Sequence, residues 1–410
     1  MAVGYEALET STLPLRLGGL KALSERIGPA SGWQVEEVGD GNLNLVFIVR
    51  GAGGAVVVKQ ALPYVRLVGD SWPLPLTRAF FEHEALVRQA ARDPGRVPEI
   101  FHFDRDQALI VMEYLSPHTI LRGKLIRGER VTDMGAVLGR FCARTAFRGS
   151  DLAMEAPDKK ADHALFLGNV ELCDITEQLI FTDPYYEAER NHHTPELAPI
   201  VADLRADGGV RDAAQAMLLR FTASGETMCH GDLHTGSVMC TGGDIKVIDP
   251  EFGFYGPMGF DLGMLLANFL MAHFSQPAHR DDPADMQGWL LGEIEACCAA
   301  FFDEFRHLWQ TERRGILYPS ALDHGEVALR ALERHIWDDA MGFCGVEMHR
   351  RCLSLAHNAE FQTIDDTALR ARLEARNIAM GRALLVDRAA VPDAAAITEM
   401  ARDFNGKDMV

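Results

Sequence analysis

Several features that mark other classes of protein are missing from this chain of 410 residues. Its eight cysteines form no CxxC pair, and Cys297 and Cys298 are adjacent, so we expect reduced and mostly buried thiols rather than disulfides or a zinc site. The most apolar segment, residues 262–272, is too short to span a bilayer and predicts a buried helix. The N-terminal residues lack the basic and apolar regions of a secretion signal, so the expected compartment is the cytoplasm.

Positive charge is also scarce. Lysine and arginine total 40 against 59 aspartates and glutamates, which gives a formal net charge of −19. A strongly negative protein is a poor partner for nucleic acid or for an anionic membrane, and neither is expected here. A binding site for any anion in this chain must therefore gather its positive charge locally.

The hydrophobic pattern divides the chain into two parts, and its length suits two lobes. Residues 1–115 predict a β-rich lobe with strands near 35–37, 45–50, 55–60 and 108–114, and with a helix over 77–92. Residues 116–410 have mainly helical spacing, including a long helix over 326–356. The expected fold class is α+β, with a small antiparallel-sheet lobe followed by a larger, mainly helical lobe.

Two short acidic motifs lie in the second part. His230-Gly231-Asp232-Leu233-His234 is followed, seventeen residues after Asp232, by Asp249-Pro250-Glu251, and the apolar residues 245–248 lead into the second motif as a strand would. This layout is typical of a phosphoryl-transfer centre of the kinase type. We interpret Asp232 as the catalytic residue that orients an acceptor hydroxyl. Asp249 and Glu251 offer hard oxygen ligands for the Mg²⁺ that accompanies ATP. They are two residues apart, so we expect an extended segment in which both side chains point the same way.

The first part of the chain contains candidates for the remaining tasks of ATP binding. Lys59, at the end of a predicted strand, could reach the α- and β-phosphates, and Glu82 on the next helix could hold it in place. Glu84 is a second possible partner for Lys59. The turn over residues 40–44, which ends at Asn44, could cover the phosphates with backbone N–H groups. The backbone of Glu113-Tyr114-Leu115 could contact adenine.

Each of these residues also has an ordinary reading as a turn residue, a solvated strand end or a surface charge. Their common order along the chain makes it improbable that all of the ordinary readings hold together. Three features depart from protein kinases: no GxGxxG loop is present, the metal motif is Asp-Pro-Glu rather than Asp-Phe-Gly, and Ser237 occupies the place of the usual second metal ligand. Glu251 could substitute for that ligand. No peptide-docking motif is visible either, so we expect a small-molecule acceptor.

These motifs together resemble one family, the 5-methylthioribose kinases, which are small-molecule kinases of the protein-kinase-like fold related to the aminoglycoside phosphotransferases. The resemblance runs over residues 36–362 and includes residues 39–44, 59–64, 69–73, 171–177, 181–184, 230–237 and 249–257. Ser237 is then a family feature.

The resemblance implies transfer of the ATP γ-phosphate to the anomeric hydroxyl of 5-methylthioribose in methionine salvage, by a homodimer. It also implies that the twin arginines Arg350 and Arg351 contact the sugar substrate. Neighbouring residues on a helix point about 100° apart, so we expect one of the two to face the substrate and the other to brace it. Two alternatives stay open: a kinase of another small alcohol (an aminoglycoside, choline or homoserine), and a nucleotide-binding protein without catalysis.

Overall fold

An antiparallel sheet organises the N-terminal part of the protein. The computed structural model describes residues 4–39, 43–65, 69–322 and 325–407. The elements of the first part are α1 (Leu13–Leu17), α2 (Lys21–Ile27), β1 (Gln34–Glu37), β2 (Asn44–Gly51), β3 (Gly54–Ala61), β4 (Tyr64–Val65), β5 (Gly69–Pro73), α3 (Arg78–Arg92), β6 (Ile100–Asp104) and β7 (Leu109–Glu113).

The second part is mainly helical. Its elements are β8 (Thr119–Ile120), α4 (Leu121–Arg127), α5 (Met134–Arg148), α6 (Ala156–Phe166), α7 (Val170–Phe181), α8 (Ala198–Ala206), α9 (Gly208–Ala223), β9 (Thr227–Cys229), β10 (Val238–Cys240), β11 (Ile245–Val247), β12 (Phe254–Gly256), α10 (Phe260–His279), α11 (Ala284–Thr311), α12 (Glu326–Leu353), α13 (Ala359–Gln362), α14 (Thr367–Val386) and α15 (Ala394–Asn405).

The chain forms two compact units. The first takes the chain up to His118 together with Asn169–Leu172 and Lys246–Gly253, and the second takes Thr119–Gly168, Cys173–Ile245 and the chain from Phe254 onward. The α+β class, with an antiparallel sheet first and a mainly helical remainder, is confirmed. We keep the division into residues 1–115 and 116–410 as a proposal for the functional lobes.

The sheet of the first unit has the order β1-β2-β3-β7-β6, and every neighbouring pair is antiparallel. Alternate residues of β2 and β3 point into its core, where Phe47, Val49, Val56 and Val58 are fully or almost fully buried. The predicted strands 45–50 and 55–60 match β2 and β3 closely. The edge strand β6 was not predicted, because its residues are all half-buried and include polar side chains that hide the alternation.

The region after β9 follows our expectation only in part. The sequence predicts a hairpin over residues 228–247, and β10 is the sheet neighbour of β11 on one side and of β8 on the other. Strand β9 takes no part in this sheet and pairs antiparallel with β12, with Met228 opposite Tyr255. The reason is local: residues 230–237 fold into a capped turn of their own, so β9 takes its partner from beyond residue 253.

Buried helices account for the most apolar segments. Helix α10 is buried from Phe260 to Gln276, as the sequence predicts for residues 262–272. All eight cysteines are free thiols, and all but Cys173 are buried, which confirms the expectation of unpaired thiols. Among the described residues, no helix combines the length and the apolar character that a membrane span requires.

Helices α5 and α11 approach each other closely through two glycines of α5. A Cβ atom at Gly135 would lie 2.0 Å from the carbonyl oxygen of Glu293, and one at Gly139 would lie 2.1 Å from that of Cys297. Both contacts are with backbone atoms, which cannot move aside as the end of a side chain can. The two glycines, one helical turn apart, therefore set the distance between these helices.

We expect Gly139→Ala to destabilise the protein by about 1–3 kcal/mol, because the added methyl group forces the two backbones apart. Gly292→Ala on α11 is the matched control, since a Cβ there meets no atom within 4 Å. Alanine at that helical position should leave stability unchanged or raise it by up to about 1 kcal/mol. Urea denaturation of the three proteins measures this, and equal effects of the two substitutions would contradict the packing argument.

Candidate active site

The first unit contains what we call the lysine–carboxylate cluster: Lys59, Glu82, Asp249 and Glu251. Lys59 Nζ donates to Glu82 Oε1 at 2.8 Å and also to Asp249 Oδ1. One carboxylate oxygen from each of the three acidic residues lies within 4.8 Å of the others. The structure thus brings together the four residues that the sequence assigned to phosphate and metal binding.

Two elements of regular structure position the ion pair. Lys59 lies in the middle of the sheet on β3, opposite Val46 of β2 and Ile110 of β7. Glu82 lies on α3 and is almost fully buried. Glu84, the other candidate, contacts Arg88 at 2.7 Å and His83 at 3.0 Å instead. The partner of Lys59 is therefore Glu82.

Asp249 reaches the cluster by an unexpected backbone conformation. We expected an extended segment in which Asp249 and Glu251 point the same way, but the φ angle of Asp249 is 67°, in the left-handed region. That region is unfavourable for a residue with a side chain and is found mainly at turns and functional sites. A turn, rather than strand alternation, brings the two carboxylates together.

Burial and like charge shape the electrostatics of this cluster. Burial raises the pKa of Glu82 to about 7 although Lys59 opposes the shift, and burial together with Asp249 raises the pKa of Glu251. Burial disfavours the charged form of Lys59 too, but Asp249, Glu82 and Glu251 outweigh it and raise the pKa of the lysine. Carboxylates crowded in this way are stabilised by a further cation, and their hard oxygens suit Mg²⁺.

Arg78 is a functional residue that sequence reasoning missed. It is fully buried, and its Nε donates to Glu251 Oε2 at 3.2 Å while an Nη2 hydrogen bond reaches Asn44 Oδ1 at 3.1 Å. Asn44 Nδ2 also donates to Glu251 Oε2, at 3.4 Å. One signal was available: Arg78 precedes Glu82 by four residues, which places both on one face of α3.

Asn44 therefore supports Glu251 through its side chain, and a contact of its backbone with phosphate stays a prediction. Asp40, Gly41 and Asn42 of the predicted phosphate turn lie outside the described residues. Asn169 was also missed. Its Nδ2 donates to the carbonyls of Glu251 at 3.0 Å and Gly253 at 2.9 Å, so it fixes the backbone around Pro250.

The segment predicted to contact adenine follows the end of β7. The N–H group of Glu113 donates to the carbonyl of Glu99 at 2.8 Å, so this donor is already used. The hydroxyl of Tyr114 accepts from Arg50 Nη2 at 3.2 Å. Contacts with adenine would have to come from other backbone groups of this segment, including those of Leu115, and they stay a prediction.

The second unit contains a separate group that we call the aspartate–arginine cluster: Asp232, Glu347, Arg350 and Arg351. Asp232 Oδ1 accepts from Arg351 Nη2 at 3.0 Å and from Arg350 Nη1 at 3.5 Å. Burial opposes the charge on Asp232, but His234, Arg351 and Arg350 hold its pKa well below the ordinary range. Asp232 is therefore anionic at any pH at which the protein is expected to function.

Both arginines contact Asp232, so the helical angle does not separate them as expected, and which of the two faces the substrate stays a prediction. Glu347, fully buried one turn earlier on α12, accepts from Arg351 Nε at 2.5 Å and from Arg350 Nη1 at 3.3 Å. This shared carboxylate draws both long side chains to the same side of the helix, despite the 100° between their Cα positions. Two carboxylates and two guanidinium groups give the cluster no net charge.

The loop that carries Asp232 is held by a third acidic residue that the sequence did not reveal. Asp261, in the first turn of α10, accepts from the backbone N–H of His230 at 2.6 Å and of Gly231 at 3.1 Å. Gly231 has a φ angle of 89°, which a side chain would strain. An acidic residue at the start of an otherwise apolar helix was the available signal, because such a residue stabilises a helix N-terminus.

Ser237 is built into the same loop. Its Oγ donates toward the carbonyls of Asp232 and His234 at 3.1 and 2.9 Å and accepts from the N–H of His234 at 2.9 Å. It is almost fully buried. Its contacts are those of a residue that shapes the loop rather than those of a metal ligand.

A second group with metal-ligand chemistry, Glu226, His335 and Asp339, lies elsewhere in the second unit. A guanidinium group fills it. Arg220 Nη2 lies 2.6 Å from Glu226 Oε1, 2.6 Å from Asp339 Oδ2 and 2.8 Å from His335 Nε2. These three side chains already share one cation, so we do not assign them a metal.

The comparisons with known proteins agree with this chemistry. Residues 34–296 match the sequence profile of the phosphotransferase enzyme family. The chain is 43% identical to a methylthioribose kinase of Escherichia coli over 94% of both chains. It is 38% identical to methylthioribose kinase 1 of rice, Oryza sativa, over 94% of this chain and 92% of that protein. A methylthioribose kinase of Yersinia pseudotuberculosis is 40% identical over 90% of each chain.

The class is thus that of the phosphotransferase enzymes. Within it, the chain belongs to the methylthioribose kinase family. The resemblance inferred from the motifs is confirmed.

The ion pair of Lys59 offers a test with an internal control. We expect Glu82→Gln to reduce phosphotransferase turnover by roughly ten- to a hundredfold, because a freed lysine no longer has one fixed position. Glu84→Gln, two residues away and paired only with neighbours on its own helix, should leave turnover close to that of the unaltered protein. Steady-state kinetics measure the turnover of both variants. Equal turnover would show that Glu82 does not position Lys59 for catalysis.

Proposed function

We propose that this protein transfers the γ-phosphate of ATP to the anomeric hydroxyl of 5-methylthioribose and forms 5-methylthioribose 1-phosphate, a step of methionine salvage. Curated relatives named methylthioribose kinase, from bacteria and from a plant, support the substrate. The main structural support for phosphoryl transfer is that Arg350 and Arg351 contact the Asp232 carboxylate and keep it anionic.

A carboxylate with a strongly lowered pKa is a weak base. Asp232 therefore acts first as a hydrogen-bond acceptor that aligns the acceptor hydroxyl, and it takes the proton only when the new bond to phosphorus has largely formed. This order suits phosphoryl transfer, where the transition state is loose and the nucleophile needs little activation. Positioning and charge compensation supply most of the catalysis.

The twin arginines give the acceptor side its specificity for a neutral or anionic molecule. The cluster has no excess of negative charge that would attract a cationic aminoglycoside or choline, whereas its guanidinium groups can donate to the hydroxyls of a sugar. The same groups can donate hydrogen bonds to oxygen atoms that gain charge during the transfer.

On the nucleotide side, Lys59 would pair with phosphate oxygens, and Asp249 and Glu251 would bind Mg²⁺. Bound Mg²⁺ supplies charge neutralisation at the β- and γ-phosphates. Without nucleotide, the ammonium group of Lys59 donates to both Asp249 and Glu82. When ATP binds, this group would move from Asp249 toward the phosphates and keep its hydrogen bond with Glu82.

Two further parts of the proposal concern the protein in the cell. We expect a homodimer, as the resemblance implies, and sedimentation velocity would test it. We also expect a cytoplasmic location, for which the eight unpaired thiols speak, since a reducing compartment preserves them.

The reaction is tested with the purified protein, ATP and four acceptors in parallel: 5-methylthioribose, kanamycin, choline and homoserine. We expect ADP release with 5-methylthioribose alone, and none when EDTA replaces Mg²⁺. Turnover with another acceptor would preserve the phosphotransferase class and reject the substrate. ATP binding without turnover on any acceptor would favour a binding protein instead.

The role of the arginines is tested by Arg351→Ala and Arg350→Ala. At least one should lose roughly a hundredfold in kcat while its affinity for ATP is retained, because the lost contacts lie on the acceptor side. Arg334→Ala is the control, since Arg334 is exposed on the same helix. Full activity of both Arg350 and Arg351 variants would show that neither arginine serves the acceptor.

A further inference from the structure

One residue of the catalytic loop has no role in the function described so far, although it contacts the catalytic carboxylate. His234 Nε2 lies 3.4 Å from Asp232 Oδ2, the oxygen that does not contact the arginines. The ring is well buried, with about one sixth of the side chain accessible (16%). Each of its two ring nitrogen atoms has a defined partner.

The loop itself determines where the ring carries its proton. His234 is the N-cap residue of the 3₁₀ turn Thr235–Ser237, and its Nδ1 faces the backbone N–H groups of Gly236 at 3.0 Å and Ser237 at 2.9 Å. Backbone N–H groups can only donate, so Nδ1 must accept and cannot carry a proton. A neutral imidazole has one proton, which therefore lies on Nε2 and points at Asp232.

The second half of the cap keeps the ring in place. The N–H of His234 donates to Ser237 Oγ at 2.9 Å, which completes a reciprocal capping arrangement between residues 234 and 237. Histidine is an unusual residue for this task, which serine, threonine, aspartate and asparagine perform well. A shorter cap residue would satisfy the turn equally but would offer no second donor toward Asp232.

We propose that His234 is a positioning residue for phosphoryl transfer: its Nε2–H holds Oδ2 of Asp232, while the arginines hold Oδ1. Rotation of a carboxylate about its Cβ–Cγ bond is intrinsically soft, so a carboxylate needs contacts at both oxygens to keep one orientation. With both oxygens held, the remaining lone pairs point in fixed directions at the acceptor hydroxyl. The inference rests on the proposed function and adds a residue to its machinery.

The neutral donor has a second consequence. A histidine that donates from Nε2 without a positive charge orients Asp232 and leaves the aspartate–arginine cluster without net charge. Protonation of His234 would place an N–H at Nδ1 against the two N–H groups of the turn and would break the cap. The orienting form is thus the neutral form.

The surroundings of His234 favour that form. Burial is the largest influence and lowers its pKa, Asp232 opposes this, and the positive charges of Arg122 on α4 and Arg351 on α12 add to the lowering. The pKa therefore lies below the ordinary value of about 6.5. We expect kcat to fall on the acid side with this pKa, whereas the pKa of Asp232 is too low to cause that fall.

Substitution of His234 by asparagine or by glutamine tests its two ring nitrogens separately: Nδ1 as acceptor for the turn, and Nε2 as donor to Asp232. In His234→Asn, the amide oxygen can accept from the turn in place of Nδ1, but no donor reaches Asp232. In His234→Gln, the amide nitrogen can reach the position of Nε2, but the acceptor for the turn is lost. His307→Asn, at an exposed position of α11, is the control for loss of a histidine.

For His234→Asn we expect a nearly unchanged melting temperature, nearly unchanged KM values, and a kcat lower by roughly ten- to a hundredfold, the range seen when a group that orients a reacting residue is removed. Its acid limb should move to lower pH. His234→Gln should have a lower melting temperature than the asparagine variant but a higher kcat. Equal kcat in the two, or a faster asparagine variant, would reduce His234 to a structural cap and overturn the proposal.

A measurement without turnover keeps this inference separate from the proposed function. In protein labelled with ¹⁵N-histidine, long-range ¹H–¹⁵N spectra at pH 7.5 should contain one ring with a proton on Nε2 and none on Nδ1 that disappears in His234→Asn. A proton on Nδ1, or a doubly protonated ring, would overturn the proposal whatever the substrate. If that signal is found but 5-methylthioribose is not phosphorylated, the proposed substrate fails and the geometry of Asp232 stands.

Discussion

The charge on Asp232 is the constraint around which the second unit is arranged. An unpaired buried carboxylate would take up a proton, because the loss of hydration costs the charged form several kcal/mol. Arg350 and Arg351 prevent this from one side and His234 from the other. The arginines are in turn neutralised by Glu347. Each charge in the cluster is thus stabilised only while the others are present, which ties the end of α12 to the loop before β10.

In the first unit, the lysine–carboxylate cluster has more negative than positive charge. Glu82, Asp249 and Glu251 exceed Lys59 and Arg78 by one negative charge. Burial first, and then repulsion between the carboxylates, raises the pKa values of Glu82 and Glu251. In a protein with a net charge of −19, this arrangement attracts no free anion. An anionic nucleotide becomes a suitable ligand when it arrives with a metal ion, because the carboxylates then gain a cation and Lys59 gains a phosphate.

The sequence was sufficient for the parts of this design that depend on residue type and order. Lys59, Glu82, Asp232 and Asp249 could be assigned because kinase chemistry requires these groups in this succession. The strands β2 and β3 followed from alternation. Arg78, Asn169 and Asp261 were missed because each acts through a contact with a residue or a backbone group far away in the sequence, and the local signals at Arg78 and Asp261 do not name that partner. Glu347 was missed although its contacts with Arg350 and Arg351 lie within one helical turn.

The two errors in geometry have a common origin. Asp249 and Glu251 were expected to align by strand alternation, and the arginines to diverge by the helical angle. In both cases an opposite charge overrode the rule: Lys59 for Asp249, and Asp232 together with the neighbouring Glu347 for the arginines. The left-handed turn at Asp249 is held in place by Asn169 and Lys59, and the arginines converge on Glu347. Ideal angles place Cα atoms well, but the tips of long side chains follow the nearest opposite charge.

The fully buried guanidinium of Arg78 has a consequence for the synthesis of the protein. Its carboxylate partner, Glu251, is made 173 residues later, and Asn169, which fixes the backbone at Glu251, also comes after the sheet is complete. A nascent chain that ends at residue 118 would have to bury an uncompensated cation, at a cost of about 3–5 kcal/mol. The first unit therefore cannot mature as it leaves the ribosome, although N-terminal domains usually fold first. The charge of Arg78 is balanced only after Glu251 has emerged, so the sheet and the segment around residue 251 become stable together.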